Sequence, residues 1–165
     1  MRTHAGEGAR GPRGGRLACT RGQAMVETAI SVVVFLAFLF SVIDGALMFW
    51  TYLTLENGVT EAARYAVTQQ QVTDGSGTLL SRADSIKAIM RQQSPGITIA
   101  DSEFAFYNIT DNSADAGGGN DLVRITVTHP YHFLFLGMIP VIHSAGNAIN
   151  LQVVSTMRNE PAPGT

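Results

Sequence analysis

The chain has one cysteine, Cys19, so no internal disulfide framework can hold it together. Lysine is equally scarce, with Lys87 alone against ten arginines. Charged residues make up only 15% of the 165, lean for a soluble domain of this size. From Ile30 to Ile43 there is no charge at all, which excludes a water-facing surface helix over that span. Signatures of catalysis are missing too. No nucleophile elbow, phosphate-binding loop or dinucleotide fingerprint occurs, and the glycines of AGGGND lack the strand-then-helix setting that phosphate binding needs. LAC at Leu17–Cys19 is no lipoprotein signal, because the apolar run follows it instead of preceding it. Neither an enzyme nor a cofactor is expected.

What the chain does have is an apolar helix beside a basic flank. Residues 26–52 predict a helix of 27 residues, about 40 Å long and able to cross a bilayer with tilt. Trp50 and Tyr52 stand at its far end, where aromatic rings favour the membrane interface. The first 22 residues carry five arginines against Glu7, a balance of +4, and the remainder sums to −6. That asymmetry predicts a cytoplasmic N-terminus and a C-terminal part on the other side of the membrane. An Arg-rich arm without a folded basic surface gives no case for nucleic-acid binding. A cleaved secretory signal fits poorly, since the apolar segment is too long and no small-residue site ends it.

Five segments follow: a basic leader at 1–22, a transmembrane helix at 23–52, a helical stem at 53–70, a small α+β domain at 71–158 and a disordered tail at 159–165. In the stem, Leu55, Val59, Ala62, Ala63, Ala66 and Val67 make one stripe, Glu61 and Arg64 are spaced to pair, and Gly58 is a weak point. Residues 69–78 read as a loop. Ser81 with Asp84 predicts a helix start, Ile86, Ile89 and Met90 its apolar face, and Pro95-Gly96 its end. Strands are expected at 97–108, 121–128 and 148–156, the second alternating cleanly through Val123, Ile125 and Val127. Residues 130–142, broken by two prolines and a glycine, read as a core-covering loop, with a partner- or membrane-docking surface as the alternative.

Two candidate sites are weak. His129 and His132 would point to opposite faces of a strand, and His143 stands apart, so metal binding is not expected. The acidic loop Asp111, Asn112, Ser113, Asp115 and Asp121 lacks the glycine and the final carboxylate of an EF-hand.

Glu27 is the informative residue, a carboxylate at the head of an apolar helix, where such groups are costly. Taken alone it reads as a residue of the headgroup layer near water, and only with Gly22, the basic leader and the stem does a functional role come first. Gly22 lies five residues before it, behind the basic leader. This ordered set resembles the class III signal of prepilins. More widely, residues 22–66 resemble the TadE-like family of minor pilins and pseudopilins of tight-adherence (Flp) pilus systems. The family pattern has a small residue and glutamate before the helix, an acidic residue late in it, and then an N…EAARYA stem. Asp44, Asn57, Glu61, Ala62, Ala63, Arg64, Tyr65 and Ala66 match it, whereas Thr28 stands where many relatives carry an aromatic residue. DLVRITVTHPYHF and VVSTMRNE resemble the weaker C-terminal part of the family.

The resemblance implies a pilin-like α+β fold: a long N-terminal transmembrane and stem helix, then one helix and a roughly three-stranded antiparallel sheet. It implies cleavage by a prepilin peptidase between Gly22 and Gln23, with lateral packing of helices in the inner membrane. The implied partners are TadE/TadF-like minor pilins, the major Flp pilin, the inner-membrane platform proteins and membrane lipid. Glu27 would then neutralise the new α-amino group of a neighbouring subunit. Asp44 is read either as an intersubunit contact or as a residue near the outer interface of a tilted helix, the second being preferred. The rival reading is an uncleaved single-pass anchored binding protein unrelated to pili.

Overall fold

The computed structural model describes residues 17–138, 140 and 146–161, with the side chains of 17–21 outside the description. The leader before Leu17, the side chain of Cys19, His143 and the end of the tail therefore lie outside the described residues.

Helix α1 runs Leu17–Val67 and contains a stretch long and apolar enough to cross a membrane. By contacts the chain divides at Phe40, giving one unit up to that residue and a second from Ser41 onward. In the first unit, every described side chain from Gly22 to Leu39 is exposed. Val33, Val34 and Phe38 each expose about two thirds of their surface. Left in water, each such side chain would forgo about 1.5–3 kcal/mol of burial energy. An apolar helix uncovered all round is compatible with single-pass membrane anchoring.

The second unit is an α+β fold. The C-terminal part of α1 supplies the stripe Leu55, Val59, Ala62, Ala63 and Ala66 to its core, all 5% exposed or less. Helix α2, Arg82–Gln93, adds Ile86 and Met90. Ser81 caps α2 by accepting from the Asp84 N–H at 3.1 Å, the start its sequence predicted. Strands β1 (Phe104–Asn108), β2 (Leu122–His132) and β3 (Ala148–Arg158) form an antiparallel sheet in the order β1-β2-β3. Val123, Ile125 and Val127 are fully buried, and Val153 and Met157 pair across from Val127 and Val123 on the same inner face.

Apart from a one-residue shift at the start of β2, three strand boundaries differ from the sequence expectation. Residues 97–100 form no strand and 101–103 form a 3-10 turn, so β1 begins only at Phe104. The Arg91 Nε donates to the Ile99 carbonyl at 2.9 Å, so this backbone is bound to α2 and not to the sheet. The buried Ile99 reflects packing, not strand alternation. Strand β2 continues through Pro130 to His132, four residues past its expected end. β1 pairs with β2 only as far as Val127, so the missing N–H of Pro130 costs no ladder bond on that open edge. β3 likewise extends two residues further, to Arg158.

Gly58, a weak point by helix propensity, is required by packing. A Cβ there would come within 2.2 Å of the Ser94 Oγ and 3.4 Å of Met90. The glycine lets α1 and the end of α2 touch, and that contact offsets its propensity cost of about 1 kcal/mol. The end of α1 is closed by distant groups: Arg82 Nη2 donates to the Ala66 carbonyl at 2.8 Å and the Glu160 N–H to that of Val67 at 3.0 Å.

Candidate functional site

The expected cleavage point, Gly22–Gln23, lies within α1, and both residues are exposed. Gly22 has open space around its Cα. Glu27 is exposed on a face shared with Ala24, Thr28, Ser31, Val32 and Phe35. These residues recur at intervals of three and four, so they form one stripe that is small and weakly polar at its start. The Thr28 hydroxyl donates to the Ala24 carbonyl at 2.9 Å, which satisfies it within the helix. Stripes of small and hydroxyl-bearing residues let helices approach closely in lipid. Glu27 is the single charge on this one.

Asp44 has a different setting. It is 0% exposed, and its carboxylate accepts from three successive backbone N–H groups. Leu134 donates to Oδ1 at 3.1 Å, Phe135 to both oxygens at 3.3 and 3.0 Å, and Leu136 to Oδ2 at 2.7 Å. Leu136 opens a 3-10 turn, Leu136–Met138, so the three N–H groups stand at the head of that turn. Consecutive N–H groups make an anion-binding concavity, and charge-assisted bonds of this kind are about twice as strong as neutral ones. The Tyr131 hydroxyl donates to the Asp44 carbonyl at 3.3 Å. Burial, with the Asp44 charge as a smaller cause, raises the Tyr131 phenol above its ordinary value, so it remains a donor. Gly137 is buried within this cradle, and a Cβ there would collide with the Asn147 side chain at 2.3 Å. Close approach of the two loop ends therefore requires glycine.

This cradle was not legible in the sequence. The donors are backbone groups, which leave no residue signature, and the clue was an intramembrane-looking aspartate with no partner in sight. The structure gives Asp44 an intramolecular role, distinct from an intersubunit contact or a place at the outer interface.

The stem motif divides by face. Asn57, Glu61 and Arg64 are exposed, Tyr65 is half-buried, and Ala62, Ala63 and Ala66 are in the core. Arg64 and Glu61 pair at 3.4 Å, as their spacing predicted. An exposed pair like this contributes about 0.3–0.5 kcal/mol.

The acidic loop is organised around buried Asn108, whose Nδ2 donates to Asp121 at 2.9 Å and whose Oδ1 accepts from the Thr110 N–H at 3.0 Å. Asp115 accepts from Ser113 Oγ and, at 2.7 Å, from the Gly117 N–H. The Ser113 bond first, then that of Gly117, lowers its carboxyl below the ordinary value. These carboxylates serve as turn caps. His129 Nδ1 lies 2.7 Å from Glu103 Oε2, while His132 alternates to the exposed face.

Residues 22–64 match the family model for TadE-like protein. The resemblance is thereby shown over the segment that carries Gly22, Glu27, Asp44, Asn57, Glu61 and Arg64. Comparison with curated proteins and with solved structures gives no match.

Proposed function

We propose that the protein is a TadE-like minor pilin or pseudopilin acting in assembly of a Flp-type pilus. The observation that carries the reading is the TadE-like match over residues 22–64, on a helix whose first unit is apolar and uncovered. In this reading α1 anchors the chain in the inner membrane, with its basic N-terminus cytoplasmic and the α+β unit outside. A prepilin peptidase cuts after Gly22, freeing the α-amino group of Gln23. Glu27 then pairs with that amine on a neighbouring subunit. In the low dielectric of a helix bundle such a pair is far stronger than in water. The stripe Ala24, Glu27, Thr28, Ser31 supports this packing, because its small residues admit a second helix. Partners would be TadE/TadF-like minor pilins, the major Flp pilin and the platform proteins, met through Glu27 and the exposed stem residues Asn57, Glu61 and Arg64. The role is assembly, with no chemistry of its own.

The test is the N-terminal residue of the membrane-extracted protein, with and without a co-expressed prepilin peptidase. Peptidase-dependent appearance of Gln23 is the expected result. Retention of the leader beside an active peptidase would overturn the pilin pathway and leave an uncleaved single-pass anchored protein.

A further inference from the structure

We propose that the loop Leu134–Met138 is a membrane-inserted foot of the α+β unit, its apolar side chains in contact with lipid acyl chains and its backbone held by Asp44. The inference rests on the reading of α1 as a membrane anchor.

Leu134 is 60% and Met138 80% exposed, and no residue from Phe133 to Met138 is charged. Around Asp44 on α1 the same uncovered character continues through Val42 at 54%, Leu47 at 40% and Phe49 at 60%. Val42, Leu47 and Phe49 flank Asp44 in the chain, so the loop bonded to Asp44 shares its unit with exposed apolar residues of α1.

Asp44 precedes Trp50 by six residues, about 9 Å along a helix. If Trp50 and Tyr52 mark the interface, Asp44 and the loop bonded to it lie on the hydrocarbon side.

Irregular backbone at membrane depth leaves N–H groups unsatisfied, each at a cost of several kcal/mol. Here three consecutive N–H groups at the loop's turn close on one carboxylate, at 2.7–3.1 Å for their best contacts. That carboxylate is itself shielded from the surroundings. A loop whose turn is closed in this way can leave water without exposing those donors to hydrocarbon. Each solves the other's desolvation once water is gone.

The experiment uses the full chain with Cys19→Ser and single cysteines at Leu134, Met138, Val34 or Leu79, each carrying an environment-sensitive fluorophore. Leu79 is exposed and lies beyond the Val67 end of α1, and Val34 is exposed in the apolar stretch. Each protein is placed in phosphatidylcholine vesicles with and without lipids bearing a nitroxide on the acyl chain. Labels at 134 and 138 should lose most of their emission, as at 34, while the label at 79 keeps its own. If the 34 label is quenched but 134 and 138 behave like 79, the anchor stands and the foot is overturned. A 138 label shielded from both lipid nitroxide and aqueous iodide would also overturn it, pointing to a second protein copy over the loop. If 34 itself escapes quenching, the anchor reading fails and the foot with it.

Discussion

Glu27 and Asp44 are two carboxylates on one helix, in segments of similar apolar composition, and their settings are opposite. Asp44 is buried and closed by three backbone N–H groups of its own chain, whereas Glu27 is exposed and no described residue bonds its carboxylate. The difference separates two uses of charge in an apolar helix. A carboxylate satisfied inside the chain holds the fold together. One that no described residue bonds takes no part in the described hydrogen bonding of the fold.

The comparison is broken most directly at Asp44. Asp44→Ala leaves the N–H groups of Leu134, Phe135 and Leu136 without their acceptor. It should destabilise the α+β unit by about 3 kcal/mol, with Asp44→Asn intermediate because one carbonyl oxygen remains. Urea unfolding in detergent, with proteolytic cleavage near residue 134 as a local readout, would check this. Unchanged stability would show that the cradle is dispensable.

Next comes Gly58→Val, which drives a side chain into Ser94 and Met90 and should cost about 1–3 kcal/mol. Recovery of part of the Tm in a Gly58→Ala, Ser94→Gly double variant would identify the clash itself as the cause.

Glu27→Gln sharpens the contrast from the other side. Stability of the unit from Ser41 onward should shift by less than about 0.5 kcal/mol, while co-purification with sister pilins is lost. A large loss of stability there would remove the distinction between the two carboxylates.

Breaking the exposed Glu61–Arg64 pair by Glu61→Ala should change stability by only about 0.3–0.5 kcal/mol, read as a small Tm shift.

The smallest expected effect is that of pH on exposed Asp74. The Ser76 hydroxyl first, then the Thr78 N–H, holds its carboxyl below the ordinary value of 3.8. A lowered folded value means the turn's stabilisation is present above pH 3.8 and is lost as pH falls through the lower folded value. Amide exchange at Ser76 and Thr78 should accelerate in that window and not at neutral pH.

Where side chains alternate or recur, the sequence was a good guide. The α1 stripe from Leu55 to Ala66, the Ser81 cap and the inner face of β2 were all legible, because each rests on local spacing. Reading was less successful where a backbone group or an absent atom decides. Ile97 and Ile99 suggested a strand because burial against a helix and burial in a sheet leave the same apolar spacing. Pro130 suggested a break because an open sheet edge cannot be seen in one strand's sequence. Gly58 suggested weakness because the value of a missing Cβ depends on what lies opposite.

By itself the sequence determined an apolar helix behind a basic flank, a carboxylate near its head, and an α+β unit beyond it. Those follow from composition and periodicity, which need no knowledge of distant neighbours. Only the tertiary structure decided that Asp44 is closed by the N–H groups of residues ninety positions further on, and that Gly58 and Gly137 are points of contact. The physical reason is that backbone donors are the same at every position. Which of them meets a given carboxylate is determined by how β2 and its following turn return to α1.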